Sequence, residues 1–483
     1  MGNKASTTTT TTTTAAAVHR CLLSAVDGNS ALVSFQNDFL YGVTAVHEYN
    51  LNFPVTPAAV TFPETSEQVA AIVKCAAAHK YKVQARSGGH SFGNHGLGGA
   101  DGAVVVDMKH FQQFSMDEAT HVATIGPGLS LGDIDTMLYN AGGRAMSHGL
   151  CPEIRAGGHL TIGGLGLTSR QWGMALDHIE EVEVVLPDSR IVRASEIENA
   201  DLLFAVKGAA ASFGIVTGFK VRTQTAPRGA IRYSYSFKLG SAAQRARLFA
   251  DWQDFILSED LSRKFTSDFI CLQDNVILKG VFFGSEEEYH ALGLDHRFPG
   301  SDSSKLLFLD DWLGTVTHVV DDLAVHLGGF MSSYFYAKSL GFTRETVMPP
   351  STINDLFTYL DKTNKGTLTW FVTFSLVGGA INDYPKNATA YPHRDVMYWM
   401  QSFAINALGP VLDSTYDFLD GINGLITRDV PGSAGHAYLG CPDPRLNHAK
   451  RAYWGGNLRR LEEMKGVFDP GDVFWNPQGV GVV

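Results

Sequence analysis

Cysteine is scarce in this chain and shows no pairing pattern. Cys21, Cys75, Cys151, Cys271 and Cys441 lie far apart and never form a CxxC pair, which excludes a disulfide-scaffold fold and a zinc ribbon. No apolar run approaches the roughly 18 residues that a membrane-spanning helix requires. Positive charge is also short. Against 38 Lys and Arg stand 49 Asp and Glu, a net charge of −11, which argues against nucleic acid as a partner because phosphates demand a basic face. The start, MGNKASTTTTTTTT, has no apolar stretch of the kind that opens a secretory signal, so a cytoplasmic chain is expected. It does fit the M-G-x-x-x-[ST] pattern. That makes Gly2 an acceptor for N-myristoylation, with a weak membrane contact as the expected result. The rest of residues 1–17 reads as a disordered low-complexity tail.

What the chain has in excess is glycine. Its 483 residues, 45% hydrophobic and 18% charged, describe a globular protein of two to three domains. The 50 glycines exceed the usual share of about 7%. They gather at 88–102, 126–166 and 207–218, and glycine in blocks suggests backbone approaching a ligand.

Along the chain, Ala58–Thr61 is a short apolar run and Thr65 reads as the N-cap of a helix with Gln68 as its partner. KVQA (82–85), GAVVVDM (102–108) and HVATIG (121–126) read as strands, and Ser130 caps a helix that Gly142–Gly143 ends. A second alternating block follows, with a hairpin over 182–195, a helix in NADLLFAVKG and a strand in FGIVTGFKVRT. Near Pro227 the texture changes. IRYSYSFKL (231–239) and TLTWFVTFSLVGGAI (367–381) alternate with period 2, while AAQRARLFADWQDFI and HRDVMYWMQSFAINAL (393–408) read as amphipathic helices. The expected fold is α+β: a domain of two α/β subdomains over 40–226, an antiparallel sheet with helices on one face over 227–429, and a tail, 430–483, that completes the first domain.

Four chemistries compete for the glycine blocks. A dinucleotide G-x-G-x-x-G is missing, since GPGLSL (126–131) lacks the third glycine, and no GK[ST] marks a P-loop. His90, His95, His148 and His159 match no metal-ligand spacing, so no metal is expected. Glycine-rich surface loops would not carry reactive side chains in all three blocks. The fourth chemistry is a backbone cradle for a pyrophosphate, in which successive glycine N–H groups form an anion nest. RSGGHS (86–91), GGHLTIGGLG (157–166) and KGAAASFGIV (207–216) share that logic. Three nests suit one long, flat, diphosphate-bearing cofactor.

In order, RSGGHS, SHGLCP (147–152), GGHLTIGGLG, KGAAASFGIVTGF and YWGGNLRRLEEMKGVFDPGDVFWNPQ resemble the berberine-bridge-enzyme-like flavoprotein oxidases of the vanillyl-alcohol-oxidase group. The likeness runs from about Tyr49 to Val480 and is strongest with the fungal oligosaccharide oxidases. It implies a PCMH-type FAD-binding domain and FAD held covalently at two points, through His90 at the 8α-methyl and Cys151 at C6. It also places Arg86, Ser87, Gly88, Gly89, Ser91, Gly157, Gly158, His159, Gly163, Gly164, Gly214 and Ile215 around the cofactor. Asn457 and Asn476 match C-terminal flavin contacts of the family. Attachment needs a neutral imidazole nitrogen or a thiolate held against the ring edge.

The resemblance breaks at the base. Carbohydrate-oxidising relatives carry a tyrosine in a segment like Y-x-N-Y-x-D. Here the segment is YLGCPD (438–443), with Gly440 and Cys441 in place of Asn and Tyr, and the strand WFVTFSLVGG offers Thr373 and Ser375 but no acid. Three routes follow: Cys441 as base, Tyr438 moved in, or a substrate hydroxyl acidic enough to need no strong base. The expected function is FAD-dependent removal of hydride from a C–H beside oxygen in a small molecule of specialised metabolism, with O2 reduced to H2O2. An oligosaccharide oxidase acting at the anomeric carbon and a flavin-binding protein without turnover are the alternatives. A monomer is expected.

Overall fold

The computed structural model describes residues 6–273, 275–327 and 332–483; Gly2 lies outside them. Its first sheet holds β1 (Val33–Phe35), β2 (Ala59–Thr61), β3 (Val83–Arg86) and β4 (Val104–Asp107) in the order β1-β2-β4-β3, with β2, β4 and β3 parallel. The second sheet and its flanking ribbon use β5 (Phe114–Asp117), β6 (Val122–Ile125), β7 (Arg144–Ala145), β8 (Ile179–Val185), β9 (Ile191–Ser195), β10 (Ile215–Arg222) and β11 (Gln224–Thr225). The sheet runs β5-β6-β10-β8-β9, all antiparallel, and β7 pairs with β11.

Helix boundaries here follow local chemistry. In α1 (Ser6–Ala25), α2 (Ser66–Ala78), α3 (Leu131–Asn140) and α4 (Ala156–Ile162), two starts are set by side-chain caps. Thr65 Oγ1 accepts from the Gln68 N–H at 3.2 Å and Ser130 Oγ from the Asp133 N–H at 3.1 Å, each satisfying a donor that the first turn leaves unpaired. The helix α1 takes in the whole threonine run, where sequence alone suggests a disordered tail to residue 17. Val18 and Leu22 bury against Val69 and Val73 of α2 in one core cluster. That apolar spacing gives the segment a partner that its threonines conceal. A disulfide joins Cys21 of α1 to Cys75 of α2, with Cα atoms 5.9 Å apart, a pairing that the scattered spacing did not suggest.

The third sheet has seven strands: β12 (Ala230–Phe237), β13 (Asp268–Cys271), β14 (Val276–Phe282), β15 (Ser303–Leu309), β16 (Tyr334–Thr343), β17 (Thr369–Leu376) and β18 (Val396–Asn406). Their order is β15-β12-β14-β13-β17-β18-β16, antiparallel throughout. The helices Ala242–Ile256, Pro350–Lys362 and Asp413–Asp429 cover one face through a single core cluster. The expected helix over 393–408 is instead β18. Lying between β16 and β17, its first five residues are buried on both faces, and that erases the alternation by which a strand is read. Its Val, Tyr, Trp, Phe and Ile content then favours the pleated state.

Period 2 divides the work of this sheet. Along β17, Trp370, Val372 and Phe374 enter the helix-facing core, while Phe371, Thr373 and Ser375 face the opposite way, into a cavity. Along β18, Tyr398, Met400 and Ala404 pack on the helices, and Trp399, Gln401, Phe403 and Ile405 face the same cavity.

The C-terminal residues return to the first sheet. Val83 pairs with Phe474 in parallel, and the Val83 N–H donates to Val473 O at 2.8 Å. Lys465, fully buried, donates to Asp469, to Ser212 O and to Phe474 O. A second buried ion pair, Arg394 with Asp177, locks the segment before β18 to the first domain, with both side chains at most 1% exposed. Replacing Arg394 by leucine leaves the Asp177 carboxylate buried without its cation. The expected loss is about 3–5 kcal/mol of stability, read as a shift in the urea midpoint.

Candidate active site

A cavity of about 610 Å³ lies between the glycine loops of the first domain and the open face of the seven-stranded sheet, a volume in the range of cofactor and substrate sites. The loop after β3 forms one wall. Arg86 ends the strand, and its guanidinium donates to Asp107 Oδ2 at 2.6 Å, to Ala45 O at 2.7 Å and to Val46 O. The side chain is therefore a brace that ties β3 to β4. Arg86 also borders the cavity, among the residues that the resemblance places around the cofactor.

Beyond Arg86 the main chain turns through Gly89 at φ +73°, a conformation open to glycine at little cost. A Cβ at Gly157 would stand 3.0 Å from Pro127 and from Ser87, so the start of α4 lies directly on the 87–91 loop. Ser87 is pinned by its hydroxyl to Pro127 O at 2.7 Å, and Ser91 accepts the His95 N–H at 3.2 Å. A side chain at Gly157 would thus be crowded against both neighbours, and the two segments border the cavity. Such a cradle fits a flat diphosphate-bearing group.

Of the expected cofactor residues, Ser87, Gly88, Gly89, His90 and Ser91 line the cavity, as do Cys151, Gly157, Gly158, His159, Gly214 and Asn476. Four do not reach it. Ile215 packs into the core beside Val185. Gly163 and Gly164 lie behind the wall, where added Cβ atoms would meet Tyr438 Oη at 2.9 Å and Ala175 Cβ at 2.3 Å. Asn457 donates to Lys386 O at 2.7 Å and Thr389 O at 3.0 Å, so it ties down the segment before β18.

His90 stands 4.7 Å, ring to ring, from Tyr49. Burial, followed by the Arg155 charge, holds its pKa below the usual histidine value, so the imidazole is neutral with a nitrogen lone pair free to bond carbon. Cys151 is less ready. Burial and the neighbouring Glu153 carboxylate push its thiol up to about 12, so it is protonated at neutral pH.

The two expected catalytic residues are both placed on the cavity. Tyr438 Oη accepts the Gly164 N–H at 3.2 Å, and burial raises its pKa. Cys441 Sγ accepts from Gln401 Nε2 at 3.2 Å, and burial, with Cys151 next, pushes it up to about 12. Both groups therefore rest protonated at neutral pH.

An acid is nevertheless present. Among the described residues, Asp268 of β13 is the carboxylate lining the cavity. It lies directly across from Ser375 of β17 and from Lys279 of β14. Burial raises its pKa, while a hydrogen bond from Ser375 and the Lys279 charge hold the rise back. Its sequence signal is the alternation in SDFIC, whose Asp and Ile share one face; its partner strand is about a hundred residues away. Much of the remaining substrate side is aromatic. Phe371 and Phe403 stack at 4.7 Å, Phe92 meets Phe335 edge-on at 5.0 Å, and Tyr49 closes on Phe335 at 5.7 Å.

These features define a flavin-binding oxidoreductase fold. A model described as "FAD binding domain" matches residues 57–195, and one described as "Berberine and berberine like" matches 437–481. The chain is 40% identical over 468 residues to the FAD-linked oxidoreductase sorD of Penicillium rubens, covering 95% of this chain and 97% of that one. It is 31% identical to the xylooligosaccharide oxidase of Thermothelomyces thermophilus over 90% of both. Its structure matches that of glucooligosaccharide oxidase from Acremonium strictum, described with a 6-S-cysteinyl, 8α-N1-histidyl FAD. The TM-score is 0.87 at 28% identity, over 97% of this chain and 99% of that one. The chain belongs to the berberine-bridge-like family of FAD-linked oxidoreductases.

Asn457→Ala separates the two roles open to that residue. It should cost about 1–3 kcal/mol through the unpaired carbonyls and leave the purified protein's visible flavin absorbance unchanged. Loss of flavin at unchanged stability would restore Asn457 to the cofactor.

Proposed function

We propose that this enzyme oxidises an aromatic or largely apolar small molecule at a carbon bearing hydrogen and a hydroxyl. FAD would be bonded to His90 and Cys151, and O2 would be the electron acceptor. The observation that carries the reading is the cavity wall. Phe92, Phe335, Phe371, Phe403 and Tyr49 form an aromatic enclosure, and most polar groups on the substrate side gather in a strip around β13 and its neighbours, with Thr266, Ser267, Asp268, Lys279, Ser375, Thr373 and Gln401. A sugar presents hydroxyls around its whole rim, and each one left unpaired on burial costs free energy.

FAD supplies hydride acceptance at its ring and the return of electrons to oxygen as peroxide. The chain's own residues do the rest. The aromatic wall excludes water and holds the substrate face, and Gln401 and Ser375 orient the hydroxyl. Asp268 takes the hydroxyl proton on a carboxylate oxygen, assisted by its raised pKa, which brings it closer to the operating pH. Cys441 stays a neutral thiol whose small volume leaves room that a tyrosine would fill. The second reading, an oligosaccharide oxidase, is favoured by the 31% identity to the xylooligosaccharide oxidase.

Among the described residues no helix is long and apolar enough to cross a membrane. The Cys21–Cys75 disulfide supports an oxidising compartment, against the cytoplasmic expectation from the N-terminus.

The test is anaerobic flavin bleaching. Aromatic alcohols and phenols should reduce the flavin and xylo- and gluco-oligosaccharides should not; the reverse pattern selects the second reading. Because only the ionised carboxylate accepts a proton, the reduction rate should rise with pH through the raised pKa of Asp268. Asp268→Asn should slow bleaching about 100-fold or more while Cys441→Ala stays near the wild-type rate. Wild-type bleaching in Asp268→Asn would remove Asp268 from the reaction.

A further inference from the structure

The loop that carries Cys151 is gripped at its base by charged and polar contacts that the chemistry above does not use. His148 Nε2 lies 2.8 Å from Asp135 Oδ1, on the buried face of α3, and His148 Nδ1 lies 2.7 Å from the Gly149 carbonyl oxygen. Both ring nitrogens face acceptors, so both carry hydrogen and His148 is an imidazolium. The Asp135 charge supports this, raising the His148 pKa against the burial that lowers it. One residue on, the Gly149 N–H donates to His159 Nε2 at 2.8 Å, which requires His159 to be neutral at that nitrogen, and burial holds its pKa well down, at about 3. Ser147 and Ser169 hydroxyls meet at 2.9 Å.

The same Asp135 oxygen accepts a second contact, from outside the domain. Trp312 Nε1 donates to it at 3.0 Å. Trp312 opens the helix Trp312–Leu327, which follows β15 of the seven-stranded sheet. The indole is 2% exposed, and its ring lies edge-on to His148 at 6.4 Å. Side chains of Asp135 and His148 are each 4% exposed. A buried ion pair is a poor source of stability compared with apolar packing of the same volume, and its best-attested benefit is a fixed geometry.

We propose that Asp135, His148 and Trp312 form a clasp that positions the Cys151 loop for the second flavin bond, so that the cysteinyl link forms only after the substrate domain has docked. This rests on the reading of Cys151 as a tether. Bond formation replaces the thiol S–H and the ring C6–H by a C–S bond. Two protons and two electrons leave, and O2 accepts them as H2O2. Nothing in the clasp touches His90, so the histidyl link is independent of it. The thiol is protonated at rest, and attachment therefore depends on where the loop holds the sulfur.

Intact mass of denatured, FAD-saturated protein, followed by peptide mapping, counts the two links separately, and Cys151→Ser marks the singly linked species. Trp312→Phe keeps an aromatic ring but removes the N–H together with the rest of the pyrrole ring; Asp135→Asn keeps an acceptor and removes the charge. Both variants should retain the histidyl link in full and form the cysteinyl link about tenfold or more slowly, so that singly linked protein accumulates. Full occupancy of both links in both variants overturns the proposal. A parallel fall of both links also overturns it, because that is what general loosening of the fold would produce. If the wild-type protein carries no cysteinyl link, the tether reading of Cys151 itself fails, and the clasp proposal with it.

Discussion

Everything at this site depends on main chain lying where side chains would not permit it, and on a buried cation that keeps that main chain in place. Arg86 sits at the end of β3 with its guanidinium shared among Asp107 and the carbonyls of Ala45 and Val46. It therefore ties its own strand to two other stretches of chain at the point where the 87–91 loop begins. An arginine suits this because its planar fork satisfies several acceptors in fixed directions. With the loop anchored there, Gly157 can approach Ser87 to van der Waals contact, and His90 is presented to the cavity without a helix or strand of its own.

The opposite wall rests on a different economy. A seven-stranded antiparallel sheet has two faces, and only one is covered by helices. Strict alternation lets one strand build the core and furnish the active site with successive residues, as in β17, where Phe371, Thr373 and Ser375 interleave with Trp370, Val372 and Phe374. Stability and substrate choice are then separable. A change at the cavity-facing positions alters what the enzyme accepts while the packed face keeps its contacts.

Much of this was legible in the sequence. The glycine blocks, His90 and Cys151 were visible because the cofactor is gripped by contiguous loops, and loops announce themselves in local composition. What failed was long-range. The strand β17 offers no acid, and the carboxylate that does line the cavity, Asp268, faces Ser375 only through a strand register that no local pattern encodes. Asn457 and Gly164 sit in the matching segments, yet their contacts lie behind the cavity wall. The strand β18 looked helical because burial on both faces removed its alternation. His148 was noticed only as an unlikely metal ligand; Asp135, thirteen residues earlier, gave it its partner.

The return of the tail to the first sheet makes the cavity floor a composite of segments far apart in sequence. Asn476, Gln478 and Gly479 line the cavity, and Phe474 pairs with Val83 beside the glycine loop. The strand that delivers the glycine loop and the segment that closes the floor thus share one hydrogen-bonded seam. A disturbance of that seam reaches both walls of the cradle at once, although neither wall is its neighbour in sequence.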